Sequence, residues 1–388
     1  MTQSKNDAQP YYGFEQGPIR PPSEARSLLI RVTRNCPWNH CAFCPVYKGS
    51  RFSVRSEDHV VADIDAVHRF VQELQTLADG DGRILRRDLD ERFRDIDDHE
   101  QQALSAALNW FAGGMRSIFL QDANSLVIKP ESLIRILRHL RSRFPWVDRI
   151  TSYARSHTIA RISDAHLSRM RSAGLNRIHI GLESGSDAVL KMVRKGSDKR
   201  TQIKAGRKVK KAGMELSEYV MPGLGGKDLS RDHALETADA LNQIDPDFIR
   251  LRSLAIPGRI PLAEEYRAGR FVKLNDVEMV GEIRLFVDNL DGIASMIASD
   301  HILNLFEEVQ GRLPEAKTEI LGVLDRFLAL SAQDQCRFQV GRRLGIFSRI
   351  VDLNSPKRRD KVDAFCAQHG IGPENVDQMV DEMMKRFI

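Results

Sequence analysis

Three cysteines fall within nine residues, in the segment RVTRNCPWNHCAFC, spaced C-x4-C-x2-C at Cys36, Cys41 and Cys44. Thiolates this close on one loop grip a single metal centre, and the chemistry depends on what completes the set. Iron–sulfur clusters are normally held by four cysteines, so a three-cysteine loop leaves one iron open to another ligand. The alternative is structural zinc, for which His40 supplies the fourth donor. That reading makes the chain a non-catalytic scaffold or binding protein. The other two cysteines, Cys336 and Cys366, stand thirty positions apart in helix-like sequence and read as buried structural residues.

Other residues able to do chemistry recur where apolar runs end. Asp122 and Asn124 follow FLQ, Arg155 follows SYA, and Glu183 and Ser184 lie in HIGLESGSD. Gly223, Gly225 and Gly226 form the turn in YVMPGLGG, and Arg250 and Arg252 alternate in FIRLRSL. Arg155 suits bidentate pairing with a carboxylate. Arg250 and Arg252, two apart on a strand, share one face and require anionic partners if that face is buried.

The elements that must position these residues are strands alternating with helices. Strands are expected at Leu28–Thr33, Ser117–Gln121, Arg149–Tyr153, Arg177–Gly181, Met214–Met221 and Phe248–Leu254. Between them, Ser163 caps a helix stopped by Gly174, and another helix ends at Gly213. Six such repeats imply parallel strands with right-handed crossovers, and a closed eight-stranded barrel needs about two more units. The expected fold class is therefore α/β, an open six-stranded (βα)6 partial TIM barrel with a helical C-terminal unit. Residues 1–26 read as an N-terminal arm, 27–265 as the barrel and 266–388 as the helical unit. A charge-dense insertion at 79–100 is expected to be solvated. Active sites of such barrels lie at the C-terminal strand ends, where the cysteine loop and the other candidates fall.

The segment RVTRNCPWNHCAFC resembles the cluster-binding loop of the radical S-adenosylmethionine (SAM) superfamily, whose usual spacing is C-x3-C-x2-C; here the first gap is one residue longer. Phe43 matches the aromatic residue common before the last cysteine, and GLESGSD resembles a segment common in the same superfamily. The resemblance covers roughly residues 27–265. It implies a 4Fe–4S cluster on Cys36, Cys41 and Cys44 that binds and cleaves SAM, giving a 5′-deoxyadenosyl radical that takes hydrogen from a substrate. It further implies that Asp122 meets the SAM amino group and that Arg155 or Arg252 meets a carboxylate. Glu183, with Ser184 beside it, would meet the ribose hydroxyls, and the turn at Gly223 and Gly225 would meet adenine. A one-electron donor such as flavodoxin or ferredoxin is the implied partner. The substrate is not readable from the sequence.

Charge and composition set limits on the remaining classes. The formal net charge of +5 is scattered, so no nucleic-acid surface stands out. No stretch reaches the apolar length of a membrane span, the N-terminus lacks an apolar signal segment, and a cytoplasmic location is expected.

Overall fold

A computed structural model describes residues 10–384. The strands are β1 (Leu28–Arg31), β2 (Thr33–Arg34), β3 (Ser53–Val54), β4 (Ser117–Gln121), β5 (Arg149–Ala154), β6 (Leu175–Glu183), β7 (Glu215–Val220), β8 (Phe248–Leu251), β9 (Met296–Ala298) and β10 (Gly311–Arg312). Eight of them follow the order β1-β4-β5-β6-β7-β8-β9-β10 in one unclosed sheet, while β2 and β3 pair separately. The pairs β1–β4, β4–β5, β7–β8 and β8–β9 are parallel, and β10 returns antiparallel to β9. The fold is thus an α/β partial barrel. All six expected strands are present. β9 and β10 add to them; with three and two residues, they are too short to show a period.

Two compact units divide the chain. Among the described residues the first comprises 10–39, 46–179 and 208–215, and the second comprises 40–45, 180–207 and 216–384. In the first unit, Ile118, Phe119 and Leu120 are wholly buried in succession. A strand covered on both faces shows such a run in place of alternation. The helix Glu57–Leu77 starts where the Ser56 hydroxyl accepts the His59 N–H, and Val60, Ile64, Val67, Val71 and Leu74 form its buried stripe. The 79–100 segment is mostly exposed and contains a helix, Arg86–Arg92, with no buried side chain. The next helix, Asp98–Ala112, buries Leu104 and Trp110.

Within the same unit the arm is fastened at several points. The Tyr11 hydroxyl donates to Asp63, Glu15 pairs with Arg34 and Arg55, and Glu24 is wholly buried. Glu24 accepts from the Ser27 hydroxyl at 2.5 Å and from Arg149 at 3.1 Å, and lies 3.4 Å from His179 Nε2. Burial alone would raise its pKa, but His179, Arg149 and Ser27 outweigh burial and hold it down at about 2. A depressed carboxylate stabilises the fold above its unfolded value and loses that contribution as pH falls through the folded value. Glu24→Gln is therefore expected to cost about 2–4 kcal/mol at neutral pH. The gap to the native protein should shrink between pH 4.5 and about 2, which urea titrations at pH values spanning that range will show.

The second unit carries β7–β10 and the helices Asp276–Asp288, Lys317–Leu328, Ala332–Arg343, Pro356–His369 and Val376–Met384. Asn275 and Glu278 form a reciprocal capping box at the first of these helices. Phe306, Phe327, Phe338 and Phe347 pack ring against ring, with centroids 5.2–6.0 Å apart. Among the described residues no helix is long and apolar enough to cross a membrane.

Candidate active site

The cysteine loop begins where β1 ends. The antiparallel pairing of β2 with β3, Thr33 opposite Val54 and Arg34 opposite Ser53, closes its base. Asn35 and Asn39 turn the chain through left-handed backbone, at φ +67° and +48°, a region asparagine tolerates well. The Asn35 N–H donates to Asp122 Oδ2 at 2.8 Å. The Asn39 side chain donates to the Tyr47 carbonyl at 2.5 Å, and its N–H donates to Cys36 Sγ at 3.4 Å. Cys36 thus sits between two fixed turns of the first unit.

Asp122 is completely buried, and its Oδ2 also takes Arg31 Nε and Nη2 at 3.0 and 2.8 Å. Its Oδ1 has no hydrogen-bond partner and faces the backbone of Gly17, where an added Cβ would come within 2.0 Å. Tyr47, buried beside Asp122 and Cys36, is held well above the usual phenol range, first by burial and then by the Asp122 charge. Arg155 lies over the Trp38 ring at 5.0 Å, and Asn124 Oδ1 accepts its backbone N–H.

The second unit holds residues 40–45 by independent ties. The Ala42 N–H donates to the Val193 carbonyl at 2.8 Å, and the Leu262 N–H donates to the Ala42 carbonyl at 3.0 Å. Ala42 and Phe43 enter an apolar cluster with Val189, Val193, Leu254 and Leu262, and half-buried Cys41 and Cys44 pack at its edge. Glu183 ends β6 at φ +63°, backbone that costs a non-glycine residue about 1 kcal/mol or more and gathers at functional sites. Lys195 pairs with Glu183 at 2.9 Å and also lies 5.7 Å above the Phe43 ring. Glutamate, lysine and cysteine loop are thereby brought together.

Ser184 is wholly buried; its hydroxyl lies 2.8 Å from His233 Nδ1 and accepts the Ser186 N–H. Ser186 in turn caps the helix Asp187–Met192. Gly223, at φ +84°, donates its N–H to Glu282 at 2.6 Å, and a Cβ there would meet Met279 at 2.7 Å. A Cβ on Gly225 would meet the Leu229 carbonyl at 2.8 Å. Arg252 meets His301, and Arg250 meets Asp300 and Ser217.

Sequence reasoning passed over two charged groups of this unit. Lys195 carries no motif. Glu218, in the middle of β7, is wholly buried, and its Oε2 has no partner. Burial first, and then the Glu183 charge, drive its pKa well above the carboxylate range against the pull of Lys195. The signal available was an acid in the interior of a strand, between Ser217 and Tyr219, a position where an unpaired carboxylate is seldom buried.

Among the described residues no three His, Cys, Asp or Glu side chains converge as the ligands of one metal ion must. Iron–sulfur clusters are held by cysteine thiolates. The donor set fits such a cluster in its chemistry: Cys36, Cys41 and Cys44 are half-buried and none is in a disulfide.

The family model of the radical SAM superfamily matches residues 30–239, more than half of the chain. A stretch of 119 residues is 24% identical to the tRNA uridine(34) acetyltransferase of Methanocaldococcus infernus, covering 30% of this chain and 22% of that protein. The match thus spans about a fifth of that curated relative's length. Among solved structures, coproporphyrinogen III oxidase (HemN) from Escherichia coli, a radical SAM enzyme, superposes with a TM-score of 0.44 at 11% identity, over 88% of this chain and 80% of its own. The archaeal Methanocaldococcus infernus Elp3 gives 0.39 at 16% identity, over 48% of each chain. The chain therefore belongs to the radical SAM superfamily, enzymes that use a 4Fe–4S cluster and S-adenosylmethionine.

Proposed function

We propose that Cys36, Cys41 and Cys44 hold the cluster and that Glu183 receives the ribose hydroxyls of SAM. When bound, the cluster would supply the electron that cleaves SAM, giving a group able to take hydrogen from a substrate, and a flavodoxin or ferredoxin would replenish it. The observation that carries this reading is the anchoring of the cysteine segment: Asn35 is tied to Asp122, and Ala42 to Val193 and Leu262. A loop fixed on both sides of its first ligand pre-organises its thiols.

The chain's own residues divide the remaining work. Asp122 acts as a positioning residue, because its one engaged oxygen is shared by Arg31 and the loop. Arg155, propped on Trp38, presents a guanidinium to a carboxylate. Lys195 holds the Glu183 carboxylate at the end of β6, and the lack of side chains at Gly223 and Gly225 lets Met279 and the Leu229 backbone pack closely against the turn. Ser184 supports the same strand end from inside the core.

Protein prepared without oxygen is expected to be brown, with about four irons per chain, and to release 5′-deoxyadenosine slowly on reduction with SAM. Colourless protein with one zinc would overturn the reading in favour of a scaffold. Glu183→Ala is expected to weaken SAM binding roughly 10–100-fold, the scale of losing hydrogen bonds to a charged group. Isothermal titration checks this, and unchanged affinity removes Glu183 from the site.

A further inference from the structure

Beyond the cofactor machinery, the second unit contains an arginine and a histidine around whose ring N–H donors outnumber acceptors. Arg252 follows β8, where its backbone N–H donates to the Val220 carbonyl. Its side-chain Nε lies 3.2 Å from His301 Nε2. On the other side of the same ring, the Leu303 N–H points at Nδ1 from 3.3 Å. Both ring nitrogens therefore face N–H donors. A neutral imidazole has one lone pair and one N–H, so it can accept only one of them.

His301 is held neutral here. Burial first, and then the Arg252 charge, lower its pKa to about 4, with Asp300 pulling the other way. Whichever ring nitrogen accepts, one donor is left over: if Nε2 accepts from Arg252, the Nδ1–H opposes the Leu303 N–H, and if Nδ1 accepts from Leu303, the Nε2–H opposes the Arg252 Nε–H. Nor does a carboxylate neutralise Arg252: among the described residues none pairs with it, and nearby Asp300 is taken by Arg250. A half-buried guanidinium beside a half-buried imidazole N–H is a binding site for an oxyanion.

Two sources present that chemistry, the carboxylate of SAM and an anionic group of the substrate. The positions of the residues in the chain decide between them. The family match ends at residue 239, and both Arg252 and His301 lie beyond it. Machinery for a cofactor that every member shares belongs within the shared segment, whereas residues outside it suit what differs between members. Asn304 fixes the segment from Asp300 to Asn304 against the strand end. It accepts from the Ser253 N–H at 3.0 Å and donates to the Leu251 carbonyl at 2.9 Å. His301 is thus presented by a tethered turn.

We propose that Arg252 and His301 hold a carboxylate or phosphate group of the substrate. The word substrate rests on the radical SAM reading; the oxyanion site itself does not.

The test uses the full chain with its cluster, saturated with SAM and carrying isotopically labelled histidine. Its His301 signals are identified by their loss in His301→Gln. Inorganic phosphate and acetate are the probes. Either is expected to shift the His301 ring resonances and to raise its titration midpoint by a pH unit or more, because a bound anion favours the imidazolium. Arg252→Gln should weaken the anion roughly 10–100-fold, while Arg252→Lys, which keeps the charge, should retain most of it. Three results would overturn the proposal. The first is no response of His301 to either anion at tens of millimolar. The second is equal loss in both arginine variants, which marks Arg252 as structural. The third is the same shift produced by SAM alone with the anions excluded, which assigns the site to the cofactor. Phosphate binding requires no turnover, so its failure leaves the iron and 5′-deoxyadenosine measurements standing, and theirs leaves it standing.

Discussion

Cys41→Ala is expected to yield folded protein that has lost its iron and produces no 5′-deoxyadenosine above background. The fold survives because the segment around Cys41 is held by its neighbours. Ala42 keeps both backbone hydrogen bonds, to Val193 and Leu262, and Phe43 keeps its place in the apolar cluster. Cys41 is half-buried at the edge of that cluster, and truncating it to alanine is expected to cost about 1 kcal/mol. The cluster does not survive, because two thiolates leave a second iron open where the chemistry needs one. Iron analysis and the visible spectrum read the first effect, and urea unfolding reads the second. Cys336→Ala is the internal contrast. Cys336 is buried and its thiol is pushed up to about 11, chiefly by burial, so it is a poor thiolate ligand. Its loss should reduce stability modestly and leave iron content unchanged. Iron lost equally from both variants would contradict the assignment.

Asp122→Ala is expected to have the largest effect on stability, about 3–5 kcal/mol, because it strands the mostly buried Arg31 guanidinium without its counter-charge. Unfolding should be accompanied at lower denaturant by loss of iron, since the same carboxylate oxygen receives the Asn35 N–H next to Cys36. A double variant, Arg31→Met with Asp122→Leu, separates the two roles. Replacing both charges with apolar groups of similar size recovers much of the stability but cannot restore the acceptor for Asn35. Stability regained with iron still labile supports a positioning role. Recovery of both would mean that Asp122 serves the fold alone.

These variants show which properties sequence alone could supply. The six principal strands are legible because each is a run long enough to show its period and is bounded by turn residues. β9 is not, with three residues, although it extends the parallel sheet beside β8. The helix cap at Ser163 is legible because capping is local. The partners of Asp122 and Glu24 are not. Arg31 lies 91 positions from Asp122, and Arg149 lies 125 positions from Glu24, and no local pattern encodes such pairings. Asp122 and Ser184 stand out by type and position, as cofactor contacts would. Their complete burial among intramolecular partners is a property of tertiary packing. Glu183 combines both cases: its motif is readable, its left-handed backbone and its lysine are not.

The buried carboxylate of the N-terminal arm has a consequence for biosynthesis. Glu24 leaves the ribosome early, but His179 follows 155 residues later. At roughly 5–20 residues per second, that interval is about 8–30 s. Through it the arm has no interior to enter, and its acid stays hydrated while the strands that will enclose it are still being made. Closure of the first unit over Glu24 therefore waits until at least His179 has been made.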